Sequence, residues 1–241
     1  MRSYGRTNSQ LRPVTITPRF LDSPLGSVLI KMGKTTVLCS TTIEDQVPRW
    51  MKGEGRGWVT AEYSMLPSSA GLARMPRESS RGKVSGRTHE IQRLIGRAFR
   101  AVCDLSKLGE RTVWIDCDVL QADGGTRTAS ITGGFVALRL AVARMLEEGI
   151  ITEDPLYENV AAISVGVVAG ELMLDLDYAE DSSAEVDMNI VMTHTGKLIE
   201  IQGTAEEKPF SKKKLIEMIS LAQSGIEELC KLQEHIIYKE D

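Results

Sequence analysis

Apolar and polar positions alternate with period two in several short runs, and this alternation predicts most of the strands. One run covers residues 14–18. Two more, 27–32 and 35–43, flank Gly33-Lys34, a two-residue hairpin connection with Gly first. The same pattern predicts strands over 58–65 and 112–120. Residues 160–169 and 172–177 read as a second hairpin around Gly170-Glu171. Residues 186–192 and 197–203 read as a third, turning at Thr195-Gly196. Helical periodicity appears three times. Residues 87–103 carry Ile91, Leu94, Ile95, Ala98, Phe99 and Val102 as one stripe, with Arg93, Arg97 and Arg100 assigned to the other face. Residues 131–148 are apolar on most sides, which predicts a central helix, and Gly149 suits its C-terminus. Ser211 is the expected N-cap of a last helix reaching about residue 233. Hairpins separated by helices predict an α+β fold, a two-layer α/β arrangement of mixed sheets with helices packed against them. The strand-strand-helix order recurs in each half, a sign of internal duplication.

Between these elements, residues 1–13 are polar and basic and read as an arm. Residues 45–57 are loop chemistry, with Arg49, Trp50, Lys52, Arg56 and three glycines. Residues 67–86 are the longest irregular stretch, and a loop of that length is usually functional or disordered.

Composition narrows the class. A chain of 241 residues, 42% hydrophobic and 26% charged, has ample material for one large ordered domain or two small ones. A net charge of −4 argues against a nonspecific nucleic-acid coat protein. Cys39, Cys103, Cys117 and Cys230 form no C-x-x-C pair, so buried reduced thiols are expected rather than a disulfide frame or a zinc site. The N-terminus lacks an apolar core, and no apolar run approaches 18 residues. A soluble, cytoplasmic protein with no membrane partner is expected.

The distribution of charge changes the picture. From Gly71 to Arg100, eight cations (Arg74, Arg77, Arg81, Lys83, Arg87, Arg93, Arg97, Arg100) face two acids, a local charge of +6. Seven of the eight are arginine, whose planar fork suits phosphates and stacks on bases. A solvated face laced with ion pairs and a track for a polyanion both fit this pattern. From Glu171 to Asp187 there are seven acids and no lysine or arginine. Crowded carboxylates of this kind are either a solvated acidic loop or a site held by a divalent cation, with Asp181 ending a loop and Asp187 starting a strand. Between the two lies Gln121-Ala122-Asp123-Gly124-Gly125-Thr126-Arg127-Thr128-Ala129-Ser130, after a strand and before a helix. It is either an ordinary turn capped by Thr128 or Ser130, or an anion site built from free helical N–H groups and Arg127. It is not a Walker A loop, because the Gly-Lys-Ser/Thr ending is missing.

Together, an anion site, an arginine track and a carboxylate-held metal suit phosphoryl transfer on a nucleic acid. His89, His194 and His235 have no evident partner, which fits a nucleophile that is already anionic, such as inorganic phosphate. A hydrolytic nuclease and a non-catalytic RNA-binding subunit are the competing classes.

Long stretches then resemble the bacterial ribonuclease PH family, essentially end to end. They are residues 56–67 (RGWVTAEYSMLP), 85–87 with 90–97 (SGR, EIQRLIGR), 114–130 (WIDCDVLQADGGTRTAS), 180–189 (EDSSAEVDMN) and 202–206 (QGTAE). The resemblance implies a ribosomal-protein-S5-domain-2-like fold and a single catalytic domain over residues 1–241. It implies a phosphorolytic 3′→5′ exoribonuclease that trims tRNA precursors and other RNA 3′ ends, rRNA among them. Such an enzyme consumes inorganic phosphate, releases nucleoside diphosphates and runs in reverse to add nucleotides. It further implies Mg²⁺ and a homohexamer built as a trimer of dimers. The matching positions put phosphate on Arg87, Gly125, Thr126 and Arg127, with Arg127 also catalytic. Asp181 and Asp187 are the implied catalytic and metal-supporting acids. RNA contacts are implied for Arg74, Arg77 and Arg81, and Arg93 and Arg97 are expected to hold penultimate phosphates.

Overall fold

The computed structural model describes residues 2–71, 74–206 and 208–238, the side chains of Ser79 and Arg81 excepted. Five strands form the first sheet: β1 (Val14–Pro18), β2 (Gly26–Met32), β3 (Thr35–Glu44), β4 (Trp58–Met65) and β5 (Thr112–Gln121). Their order is β1-β2-β3-β5-β4, antiparallel except for the parallel β4–β5 pair. A second sheet of β6 (Val160–Val168), β7 (Glu171–Leu174), β8 (Val186–Thr193) and β9 (Leu198–Ala205) is antiparallel throughout, in the order β7-β6-β8-β9. Only the first sheet is therefore mixed. Among the described residues there are four α-helices, α1 (Gly86–Arg100), α2 (Thr126–Glu147), the short α3 (Tyr178–Ser182) and α4 (Lys212–Ile237), besides short 3-10 turns.

The alternation sets the faces of the strands. On β5, Val113, Ile115, Cys117 and Val119 are buried, while Trp114, Asp116 and Asp118 point the other way. α2 lacks a continuous polar face and is buried from Thr128 to Leu138 between the two sheets, with exposed residues only towards its C-terminus. Gly133 and Gly134 make this close approach possible, because a Cβ there would stand 2.6 Å from Ile30 and 3.0 Å from the Phe99 ring. On the other side, the Thr132 hydroxyl donates to the Ala162 carbonyl (3.2 Å) and accepts from the Ala162 N–H (3.1 Å). Gln233 of α4 donates to the Thr132 and Val160 carbonyls. By length and composition α2 would pass for a membrane span, but 72% of its most apolar window lies inside the protein, as in a core helix.

Several expectations shift in detail. The second hairpin turns at Ala169-Gly170, both at positive φ (50° and 78°), one residue earlier than read. The N-cap of α2 is Gly125 rather than Thr128 or Ser130, and no side chain caps it. Ser211 does cap α4, accepting from the Lys214 N–H. All four cysteines are free and buried.

The basic arm is not an arm. Arg6 and Arg12 are buried, and with Arg2 they supply the counter-charges of the acidic segment. Arg12 pairs with Asp175 at 2.7 Å, and Arg2 and Arg6 pair with Glu180 at 2.7 and 2.9 Å. Arg6 also lies 3.9 Å from Asp177. Local sequence gave no sign of this, because the partners are more than 160 residues apart.

Candidate active site

β4 and β5 run parallel and end together, and the chain leaves β5 through Gly124-Gly125 into α2. The ends of both strands and the start of α2 form one wall of a cleft of about 1180 Å³. The turn needs its glycines. Gly124 and Gly125 lie at φ 75° and 66°, and a Cβ on Gly124 would come within 2.7 Å of the Leu176 carbonyl oxygen. The first turn of α2 carries no acid and no side-chain cap, so its N–H groups and the helix dipole favour an anion. The Tyr63 hydroxyl of β4 donates to Thr126 Oγ1 at 2.9 Å. Burial pushes the Tyr63 phenol up, while the Thr126 hydrogen bond and the charges of Arg87 and Arg127 pull it down, so both guanidiniums act on the same point.

The opposite wall comes from the second sheet. Asp187 lies near the start of β8 beside Thr204 of β9 and Gly166 of β6. Asp181 is not in a loop; it rides on α3, whose N-cap Asp177 and Glu180 form a capping box. Of the acids in the segment, Asp175, Asp177 and Glu180 are matched by arginines of the N-terminus. Asp181 and Asp187 face the cleft with no ion-pair partner among the described residues. Burial, and next the charge of Asp181, push the Asp187 carboxyl up to about 6, with Arg127 acting against them. Its Oδ1 is buried without a hydrogen-bond partner.

An orphaned buried carboxylate oxygen next to a second carboxylate fits a divalent cation that takes its remaining ligands from water or substrate phosphate. Among the described residues no third acid, histidine or cysteine joins the pair.

The cleft thus brings together Arg77, Arg87, Gly125, Thr126, Arg127, Asp181 and Asp187. Other expected residues stand apart. Arg74 and Arg93 are exposed and do not line the cleft, although Met75 and Gln92 beside them do. Arg97 is occupied by Glu200 of β9, with contacts at 2.7, 2.8 and 3.2 Å. Arg100 belongs to no track: it stacks on Trp58 at 4.2 Å and donates to the Val59 carbonyl at 2.7 Å. The side chain of Arg81 lies outside the described residues. None of His89, His194 and His235 lines the cleft.

The structure adds residues that the charge pattern did not single out. Tyr63, Asn189 and Gln202 sit inside the matching motifs. Arg127 Nη1 donates to Gln202 Oε1 at 2.9 Å, and Asn189 and the 66%-exposed Tyr178 line the wall near Asp181.

A basic turn facing a carboxylate pair across one cleft, at the junction of two sheets around one helix, suits phosphoryl transfer. Comparison with known proteins specifies it. Models of the 3′ exoribonuclease family match in two parts, domain 1 over residues 10–143 and domain 2 over residues 158–225. The chain belongs to this family. It is 56% identical over 238 residues to the Ribonuclease PH of Bacillus velezensis, covering 98% of this chain and 97% of that protein. It is 57% identical over 233 residues to the Ribonuclease PH of Neisseria meningitidis serogroup C, covering 97% and 96%. Rice Rrp46, known from a crystal structure, shares the fold at a TM-score of 0.78 and 22% identity, covering 99% of this chain and all of that one. The α+β, ribosomal-protein-S5-domain-2-like architecture expected from sequence agrees with this likeness.

Proposed function

We infer that the protein is a phosphorolytic 3′→5′ exoribonuclease, which uses inorganic phosphate to remove the 3′-terminal nucleotide of RNA as a nucleoside diphosphate. Within the molecule, one observation carries the reading. Asp181 and Asp187, the two acids of the 171–187 segment that face the cleft without an ion-pair partner among the described residues, lie opposite Arg77, Arg87 and Arg127 and the uncapped start of α2.

In the proposed reaction, phosphate rests on the turn of Gly125, Thr126 and Arg127 and is clamped by Arg87 and Arg127. One of its oxygens attacks the last phosphodiester in line. A P–O bond to the incoming hydrogen phosphate forms, the bond to the 3′-oxygen of the penultimate nucleotide breaks, and that oxygen takes up the proton that hydrogen phosphate gives up. The nucleophile is already an anion, so the work is positioning and charge neutralisation, in keeping with a cleft without histidine. Asp181 and Asp187 would hold a divalent cation, Mg²⁺ by its preference for oxygen, which when bound neutralises charge on the transferring phosphate. Arg77, with Arg74 and Arg81 of the same loop, is assigned to the RNA backbone. Arg97, paired with Glu200, is assigned to support rather than to RNA.

On the family relationship we further propose tRNA precursors and other RNA 3′ ends as substrates, reversal with nucleoside diphosphates, a homohexameric ring of three dimers and a cytoplasmic location. Residues 1–241 are proposed to act as one catalytic domain, since α2 packs on both sheets.

The test is to incubate the purified protein with an RNA carrying a 3′ extension, with and without phosphate. Shortening only with phosphate, with diphosphate products, is expected. Monophosphates released without phosphate would reverse the reading in favour of hydrolysis.

A further inference from the structure

The two walls of the cleft are joined beneath the site by one buried side chain. Arg12, 1% exposed, lies just before β1 and far from the cleft in sequence. Its Nη2 donates to Asp175 Oδ1 at 2.7 Å, and its Nε and backbone N–H donate to Asp175 Oδ2 at 3.0 and 2.7 Å. From the same guanidinium, Nη1 donates to the Asp123 carbonyl at 2.5 Å and reaches the Gly124 carbonyl at 3.5 Å. One planar group therefore grips both the turn that opens α2 and the segment that leads to Asp181. The fit is tight on both flanks: a Cβ on Gly33 would meet Arg12 Cδ at 2.8 Å, and one on Gly125 would meet Arg12 Nη2 at 3.0 Å.

Both ends are themselves fixed. Asp175 is fully buried and sits at φ 55°, a left-handed conformation that is uncommon outside glycine but that aspartate tolerates better than most residues. Its N–H donates to the Ser164 carbonyl at 2.7 Å, and the next N–H, of Leu176, donates to Ser164 Oγ at 3.0 Å. At the turn, buried Thr35 donates to the Gly124 carbonyl at 2.6 Å and accepts from the Asp123 N–H at 2.9 Å. Arg12, Asp175 and Thr35 do not line the cleft, and their bonds run to backbone or to each other, so they touch no reactant. What it controls is where the Gly124-Gly125 turn stands relative to Asp181 and Asp187.

We propose that Arg12, clamped to Asp175 and seconded by Thr35, is a positioning residue that holds the phosphate-binding turn in register with the carboxylate pair. This rests on the assignment of inorganic phosphate to that turn. A lysine in place of Arg12 keeps the charge on Asp175 but has no planar fork to reach two carbonyls. Arg12→Lys is therefore expected to raise the KM for phosphate about tenfold, because a small misplacement of a reacting group is costly. The KM for RNA is expected to stay near that of the natural protein.

Thr35→Val tests the same turn without touching the ion pair, and serves alone if Arg12→Lys does not fold. The control is Thr132→Val, which also removes a buried hydroxyl that bonds a backbone N–H and carbonyl, at Ala162 in the core. It is expected to lose a similar amount of thermal stability and to leave the phosphate KM unchanged. Amide hydrogen exchange is expected to quicken over residues 122–127 in Arg12→Lys and Thr35→Val but not in the control.

Phosphate KM values in Arg12→Lys and Thr35→Val within about twofold of the control would overturn the proposal. The natural protein, assayed alongside, separates the two questions. If it shortens RNA without phosphate, the assignment of the turn itself fails. If its activity needs phosphate and the variants match the control, only the positioning role fails.

Discussion

Arg127, at the start of α2, donates to the side-chain oxygen of Gln202 on β9 at 2.9 Å, so a strand of the second sheet orients the residue that opens the central helix. The amide is used at both ends. Its nitrogen donates to Glu200 at 3.0 Å and to Glu90 at 3.2 Å, and Glu200 in turn receives Arg97. Arg97 thus reaches the site at third hand, through Glu200 and Gln202. Gln202→Leu is expected to lower kcat/KM for phosphate about tenfold, by releasing Arg127 without removing it. Arg127→Ala, which removes the charge on the nucleophile, is expected to cost about a hundredfold or more, from the roughly 3 kcal/mol typical of one donor to a developing anion. Steady-state phosphorolysis with varied phosphate reads both. Equal losses would mean that Gln202 does more than orient.

Asp187 supplies a pH dependence whose sign is fixed by its environment. In the folded chain burial and Asp181 push it up to about 6, whereas in the unfolded chain it titrates near an ordinary carboxyl, about 3.9. Between those values the native state binds the extra proton, so stability contributed by this group falls as pH rises from about 4 to about 6. Above about pH 6 the full penalty applies. Asp187→Asn is therefore expected to unfold at higher temperature than the natural protein at pH 7 in chelator, by on the order of 2 kcal/mol. The advantage is expected to vanish below about pH 4. Mg²⁺ should raise the melting temperature of the natural protein and not that of the variant. Thermal melts over a pH series, with chelator or Mg²⁺, make the comparison.

The arginines of 74–97 separate by location. Arg77 lines the cleft, while Arg93 is exposed on α1 and does not line it. Arg77→Ala is expected to weaken RNA binding and to reduce the salt dependence of affinity by about one phosphate contact. Arg93→Ala should leave both near their natural values. Binding of a single-stranded RNA measured at several salt concentrations distinguishes them, and equal effects would put the RNA on the α1 face instead.

Gly124 has no room for a side chain. At φ 75° an alanine costs about 1–2 kcal/mol from conformation alone, and its Cβ would stand 2.7 Å from backbone atoms of Leu176 and Asp177. That second cost forces the turn and α3 apart. Gly124→Ala is expected to abolish activity and to destabilise more than Gly53→Ala, which has φ 87° with nothing within 4 Å. Melting curves and activity of the two variants decide whether the contact between turn and α3 is required.

The sequence by itself determined the elements and much of the chemistry. Alternation placed most of the strands to within a few residues, because one buried face imposes period two, whereas β6 and most of β8 are buried on both faces and show no such alternation. The all-round apolar stretch gave the central helix, and the motif stretches gave Gly125, Thr126, Arg127, Asp181 and Asp187. Tertiary structure decided which charges are free. Arg93, Arg97 and Arg100 share one sequence pattern, yet one faces solvent, one meets Glu200 and one packs on Trp58. Seven acids between Glu171 and Asp187 read as either a solvated loop or a cation site, and three of them take arginines from the N-terminus. Charge is a property of residue type and can be read along the chain. Its neutralisation depends on partners far apart in sequence, and only the fold selects them.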